Sequence, residues 1–262
     1  MFRIKILFVC SVLLLVAAPS IASAEEVDLE LVLAMDASGS ISDSEYLLQL
    51  EGTSAAFRDP AIQAAIESGP IGKIAVTIML WSDAAFPKVN SGWFVLDSPQ
   101  SANAFAAFVS TFQLNEDKSI GFGGGGTGIG SGVEEGLRLL KNNRYRGLRR
   151  VIDVSGDGVE TQFWFSKSIM MPDAKILARA ENVIINGLPI LTRDFPDLDE
   201  YYRENVISGP GSFIVRAKDF QDFGRAIRQK LLREISANVA HLKIPRDSAN
   251  KVANLSVKLG DH

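Results

Sequence analysis

The sequence predicts a doubly wound α/β domain: a mostly parallel six-stranded sheet in the order 3-2-1-4-5-6, with one antiparallel edge strand and helices on both faces. Three observations predict it. Apolar runs of strand length alternate with helical patterns from residue 27 to residue 236, the arrangement that builds a parallel sheet covered on both sides. Runs such as "KIAVTIMLWS" (73–82) are too apolar for a solvated edge. One link, Asn90-Ser91-Gly92, has hairpin length, so the strand after it runs antiparallel to its neighbour.

The elements follow in order. "VDLELVLAM" (27–35) is the first strand. The stretch after it has apolar residues at helical spacing, with Ser42 and Glu45 placed as a capping box and Asp59-Pro60 as its end or as the join to a second short helix. Residues 73–82 and "GWFVLD" (92–97) are strands two and three, and "SANAFAAFVSTF" (101–112) is helical by period. A Gly-rich loop (121–126) leads into a helix at "GIGSGVEEGLRLLKN", and "RRVIDVSGD" (149–157) is strand four. A helix over 172–182, strands over 182–190 and 211–217, and an amphipathic helix over 218–236 complete the domain. Residues 241–262 show no clear partner and are expected to form a loosely ordered tail.

Residues 1–24 stand apart from the fold. Arg3 and Lys5 precede an apolar run to Ala18, and Ala22-Ser23-Ala24 has the pattern of a cleavage site, the order of a secretory signal peptide. A retained N-terminal anchor is the rival reading. With cleavage the chain is periplasmic or secreted, has no stable membrane anchor, and its domain runs over 25–240. The one cysteine, Cys10, leaves with the signal, so a disulfide-free core must hold the fold. Loss of the two basic residues takes the formal charge from −4 to −6. With no basic block either, nucleic acid is excluded as a partner.

The chemistry gathers at strand ends. Asp36, Ser38 and Ser40 sit just past strand one at every second position. Thr127 stands at the mouth of the helix before strand four, and Asp157 just past strand four. Sites in doubly wound sheets form beyond the carboxyl ends of the strands where their order reverses, so neighbouring strands one and four bring these groups together. Every donor is then an oxygen and two are carboxylates, a set suited to a hard divalent cation such as Mg²⁺, with Mn²⁺ as the alternative. Alternate residues of an extended segment point one way, so Ser38 and Ser40 can share an ion with Asp36 behind them.

This set, Asp36-Ala-Ser38-Gly-Ser40 followed by Thr127 and Asp157-Gly158, resembles the metal-ion-dependent adhesion site (MIDAS) of von Willebrand factor type A (vWA) domains. "VIDVSGDG", "INGLPI" and "YYRENVISGPGSF" are similar to a secreted bacterial branch of that superfamily. The resemblance implies that Ser38, Ser40 and Thr127 coordinate the metal, that Asp36 and Asp157 act directly or through water, and that a Glu or Asp carboxylate of a partner protein completes the octahedron. The long "GFGGGGTGIGSG" run around Thr127 departs from the pattern.

Other readings compete at particular residues. Asp-x-Ser-x-Ser alone also serves as a helix cap and turn. The glycine run contains Gly-x-Gly-x-x-Gly spacings but does not follow the first strand and has no Gly-Lys-Ser/Thr, which argues against a nucleotide site. Asp153 reads as a buried structural acid, with support of the metal site as the rival. Asp83 reads as a turn residue or part of the rim, and Phe163, Trp164 and Phe165 as packing under a loop or contacts flanking the metal. The only histidines are His241 and His262, both beyond the expected domain, and no Gly-x-Ser-x-Gly occurs. The function expected is therefore an exported, metal-dependent protein-binding module and not an enzyme. A metal-assisted phosphoester hydrolase is the alternative.

Overall fold

The computed structural model describes residues 24–84, 87–112, 126–161 and 169–241. Residues 1–23, where the signal peptide is expected, most of the glycine run, the aromatics at 163–165 and the residues beyond 241 lie outside the described residues.

The central strand β1 (Glu25–Asp36) pairs in parallel with β2 (Ile74–Trp81) on one side and β5 (Tyr145–Gly156) on the other. Beyond β2 lie two short antiparallel strands, β3 (Val89–Asn90) and β4 (Phe94–Leu96); beyond β5 lies parallel β6 (Ile184–Pro189). The path β3-β2-β1-β5-β6, with β4 also on β2, is the expected doubly wound order with its antiparallel edge. The expected strand over 211–217 takes its place beside β6 in the parallel sense, but only as bridges at Ile214 and Ala217. Pro189 explains the gap. Gly187 and Leu191 donate to Phe213 and Ala217, and the intervening Pro189 has no N–H to give.

Alternation along β1 separates two cores. Leu29, Leu31, Leu33 and Met35 face a layer of α1 (Asp43–Arg58), α2 (Pro60–Glu67), α3 (Pro99–Ser110) and α7 (Phe223–His241). Val32 and Ala34 face α4 (Ile129–Lys141), α5 (Met171–Ala180) and the segment after α6 (Leu198–Tyr201). Both faces are covered, which is why the strand reads as nearly continuous apolar sequence. The capping box at Ser42 and Glu45 is present, and Asp59 ends α1 while capping α2 with its side chain. The sequence reading assigns nothing over 191–210, where the chain forms α6 and then a π-helical turn, Tyr202–Val206.

Asp153 faces the α7 layer, away from Asp36. Fully buried Lys230 of α7 approaches its Oδ1 at 2.5 Å and Glu234 Oε2 at 3.4 Å. Glu234 in turn takes Arg149 at 3.0 Å and the Asn186 amide at 2.9 Å. The structural reading of Asp153 matches this geometry. Burial holds its carboxyl up at about 6, with Lys230 pulling it down.

Candidate metal centre

Strand β1 delivers Asp36 to the sheet's carboxyl edge with no exposure at all. The chain then turns, and the turn is built from the motif itself. Asp36 Oδ1 accepts the Ser38 N–H at 2.8 Å, the Ser38 and Ser40 hydroxyls lie 3.0 Å apart, and Ser40 donates to Asp157 Oδ1 at 2.8 Å. The register Met35 opposite Ser155 sets Asp157, two residues on, beside the β1 loop. Two segments 117 residues apart thus meet through the Ser40 hydroxyl and the Asp157 carboxylate.

Thr127 reaches the same place. Its carbonyl accepts the Thr161 N–H at 2.9 Å, and its hydroxyl lies 3.3 Å from where a side-chain carbon would stand on Gly158. On the other side Gly128 donates to Ser82 at the end of β2, packed so close to Ala84 that an added Cβ would sit 2.7 Å from its nitrogen. The structure therefore brings Asp36, Ser38, Ser40, Thr127 and Asp157 to one end of the sheet. Asp83 is buried in the turn after β2, where its carbonyl and that of Ala84 receive the Lys88 ammonium.

Three neighbours escape the sequence reading. Glu160 accepts the N–H groups of Gly130, at 2.6 Å, and Met171, at 2.9 Å, so one carboxylate joins the starts of α4 and α5 and fixes the loop carrying Thr127. It also occupies part of the positive end of α4, which begins at Ile129, just after Thr127. Phe195, 36% exposed, lies 3.8 Å from the same point on Gly158, an aromatic flank beside the site. Tyr202 of the π turn is buried beneath Asp36. None carries a local signal, because each reaches the site through tertiary packing.

The electrostatics favour a cation. Burial, and then the charge of Asp157, push the Asp36 carboxyl up to about 7. Asp157 is raised too, by burial and by Glu45, with the Ser40 bond pulling it down. Among the described residues the charges acting on the pair are negative ones. Two carboxylates and three hydroxyls, without nitrogen or sulfur, fit a hard divalent ion. Among the described residues no group of three or more His, Cys, Asp or Glu is placed to hold a metal.

A pH dependence follows. A carboxyl raised from 3.8 to about 7 binds its proton more tightly in the folded chain. Its contribution is fully present below about pH 4 and is lost as pH rises through 7, roughly 4 kcal/mol in all. Denaturant titrations in excess chelator should show the Asp36 contribution falling between pH 4.5 and 7.5, and Asp36→Asn should flatten that slope. A wild-type slope unchanged by Asp36→Asn would contradict the assignment.

Sheet order, helices on both faces and a polar cluster at the carboxyl edge define a vWA-type fold. The chain belongs to the family described as "Protein of unknown function (DUF1194)", whose profile matches residues 26–239. No curated protein matches it. Among solved structures it is similar to the pilus adhesin SpaC from Lactobacillus rhamnosus GG (TM-score 0.54, 15% identity, 82% of this chain and 31% of that one). It is also similar to proximal thread matrix protein 1 from the mussel byssus "with zinc occupied MIDAS motif" (TM-score 0.52, 15% identity, 82% and 47%). A third is the PilB minor pilin from Streptococcus sanguinis (TM-score 0.53, 11% identity, 87% and 65%). The chain spans less than two thirds of each of these proteins. At such identities the likeness shows the fold.

Proposed function

We propose that this chain is an exported protein-binding module that works through a divalent cation, Mg²⁺ or Mn²⁺, held by Asp36, Ser38, Ser40, Thr127 and Asp157. The observation that carries the reading is the hydrogen-bonded line from Asp36 through the Ser38 N–H and the Ser38 and Ser40 hydroxyls to Asp157, with buried carboxylates that have no neutralising charge among the described residues. Two carboxylates and neutral hydroxyls leave a bound ion room for an anionic oxygen from outside. A Glu or Asp side chain of a partner protein is the natural donor, with Phe195 as an apolar contact beside it. The likeness to an adhesin and a matrix protein supports a binding role over catalysis.

Export is part of the same proposal. β1 begins at Glu25, whose N–H donates to Arg144 at 2.9 Å, so cleavage after Ala24 leaves the sheet whole. No helix among the described residues is long and apolar enough to cross a membrane. Intact mass of the exported chain tests this, and a mass retaining Met1 to Ala24 would refute cleavage.

The binding reading is tested by capture from the exported proteins of the source organism. Capture should vanish in chelator, return with Mg²⁺ or Mn²⁺, and fail in Thr127→Ala. Phe195→Ala should weaken the captured partner's affinity about tenfold, the scale of an interface aromatic, with metal affinity unchanged. Capture that persists in excess chelator refutes the mechanism, and hydrolysis of an aryl phosphate would restore the enzyme reading.

A further inference from the structure

Beneath the candidate metal site three buried polar groups have no hydrogen-bond partner among the described residues: Asp36 Oδ2, the Tyr202 hydroxyl and the Trp81 indole N–H. Such groups are rare, and each calls for a partner or a trapped water. The first two converge on one point, with the Trp81 ring beside it. A side-chain carbon added to Gly156 would lie 2.8 Å from Asp36 Oδ2, 2.8 Å from the Tyr202 oxygen and 3.2 Å from Trp81 Cζ2. The carboxylate and phenol oxygens are therefore no more than twice 2.8 Å apart, a gap that one water spans.

The surroundings are built for this meeting. The Tyr202 ring is fully buried, and an added Cβ on Gly187 of β6 would meet its Cδ1 at 2.8 Å. Gly156 and Gly187, on adjacent strands, thus leave the space the tyrosine occupies. The π turn aims it there, closed by the Ile207 N–H donating to the Tyr202 carbonyl at 3.0 Å. Single-turn π segments of this kind recur at functional sites. Phenol and indole are donors and Asp36 Oδ2 is an acceptor, so the chemistry is complementary.

We infer that Tyr202 is a positioning residue for the metal site: its hydroxyl donates to Asp36 Oδ2 through one trapped water held beside the Trp81 ring. The Ser38 N–H holds the other oxygen, so the two bonds together fix the plane of the carboxylate. Partners of this kind beyond the ligands typically change metal affinity by about 10- to 100-fold. Burial first, and then the charges of Asp36 and Asp157, push the phenol pKa far up, which keeps it a donor.

The inference rests on the metal-site reading, and one experiment separates the two. Mg²⁺ and Mn²⁺ titrations by calorimetry are run on the wild-type chain, Tyr202→Phe and Gly187→Ala, with thermal melts in excess chelator. Tyr202→Phe keeps the ring in its slot and should bind metal about 10- to 100-fold more weakly while melting close to wild type. A merely structural tyrosine would lower the melting temperature and leave affinity unchanged. Gly187→Ala shifts the ring from the β6 side without touching a proposed ligand and should weaken binding in the same direction, so it decides the matter if Tyr202→Phe does not fold. Wild-type affinity in either folded variant overturns the role of Tyr202 alone. A wild-type chain that binds no metal overturns both readings.

Discussion

Lys230→Met is expected to cost the fold about 3–5 kcal/mol at pH 7, the penalty for removing one partner from a buried ion pair. Lys230 has no exposure and lies against Asp153 and Glu234, with the Phe213 ring 4.9 Å from its ammonium. Methionine fills the volume but leaves two buried carboxylates, of which Glu234 keeps its ion pair with Arg149 and Asp153 loses its own. Asp153, already held up at about 6 by burial, would then take up a proton more readily. A raised carboxyl stabilises the fold at low pH and loses that contribution as pH climbs past it. The cost of the substitution should therefore shrink toward pH 5. Denaturant titration at the two pH values checks this. A loss below about 1 kcal/mol at pH 7 would show that Lys230 does not neutralise the cluster.

Asp36→Asn is expected to act in opposite senses on stability and binding. The amide oxygen can still accept the Ser38 N–H, so the turn keeps its internal bond. What disappears is a buried charge whose folded form is disfavoured at neutral pH by burial and by Asp157. In chelator at pH 7.5 the variant should be more stable than wild type by up to roughly 4 kcal/mol, the size implied by the raised carboxyl. It should also bind Mg²⁺ far more weakly, since the ion loses half of its carboxylate charge. A variant that is both less stable and unimpaired in binding would place Asp36 in the scaffold and not in the site.

The two kinds of residue differ in how visible they are in sequence. Asp36, Ser38 and Ser40 are legible because spacing along an extended segment is local, and Thr127 and Asp157 because they fall after the right elements. Sheet order was legible because buried parallel strands leave unbroken apolar runs. The edge beside β6 was less so, although Pro189 in "INGLPI" already marks a missing donor. Glu160, Phe195, Tyr202 and Lys230 carry no comparable signal. Lys230 sits within an ordinary amphipathic pattern, and only packing of α7 against β5 shows that it is fully buried. Tyr202 lies in a π turn, whose altered phase no 3.6-residue period can reveal.

The most direct measurement is a calorimetric Mg²⁺ titration of the wild-type chain at pH 7.5, beside Asp157→Asn. Asp157 is the acid that ties the β5 loop to Ser40. The account predicts one saturable site in the wild type, with protons released as the raised carboxyls ionise, and no such site in the variant. No saturable binding in the wild type, or equal affinity in the two proteins, would contradict it.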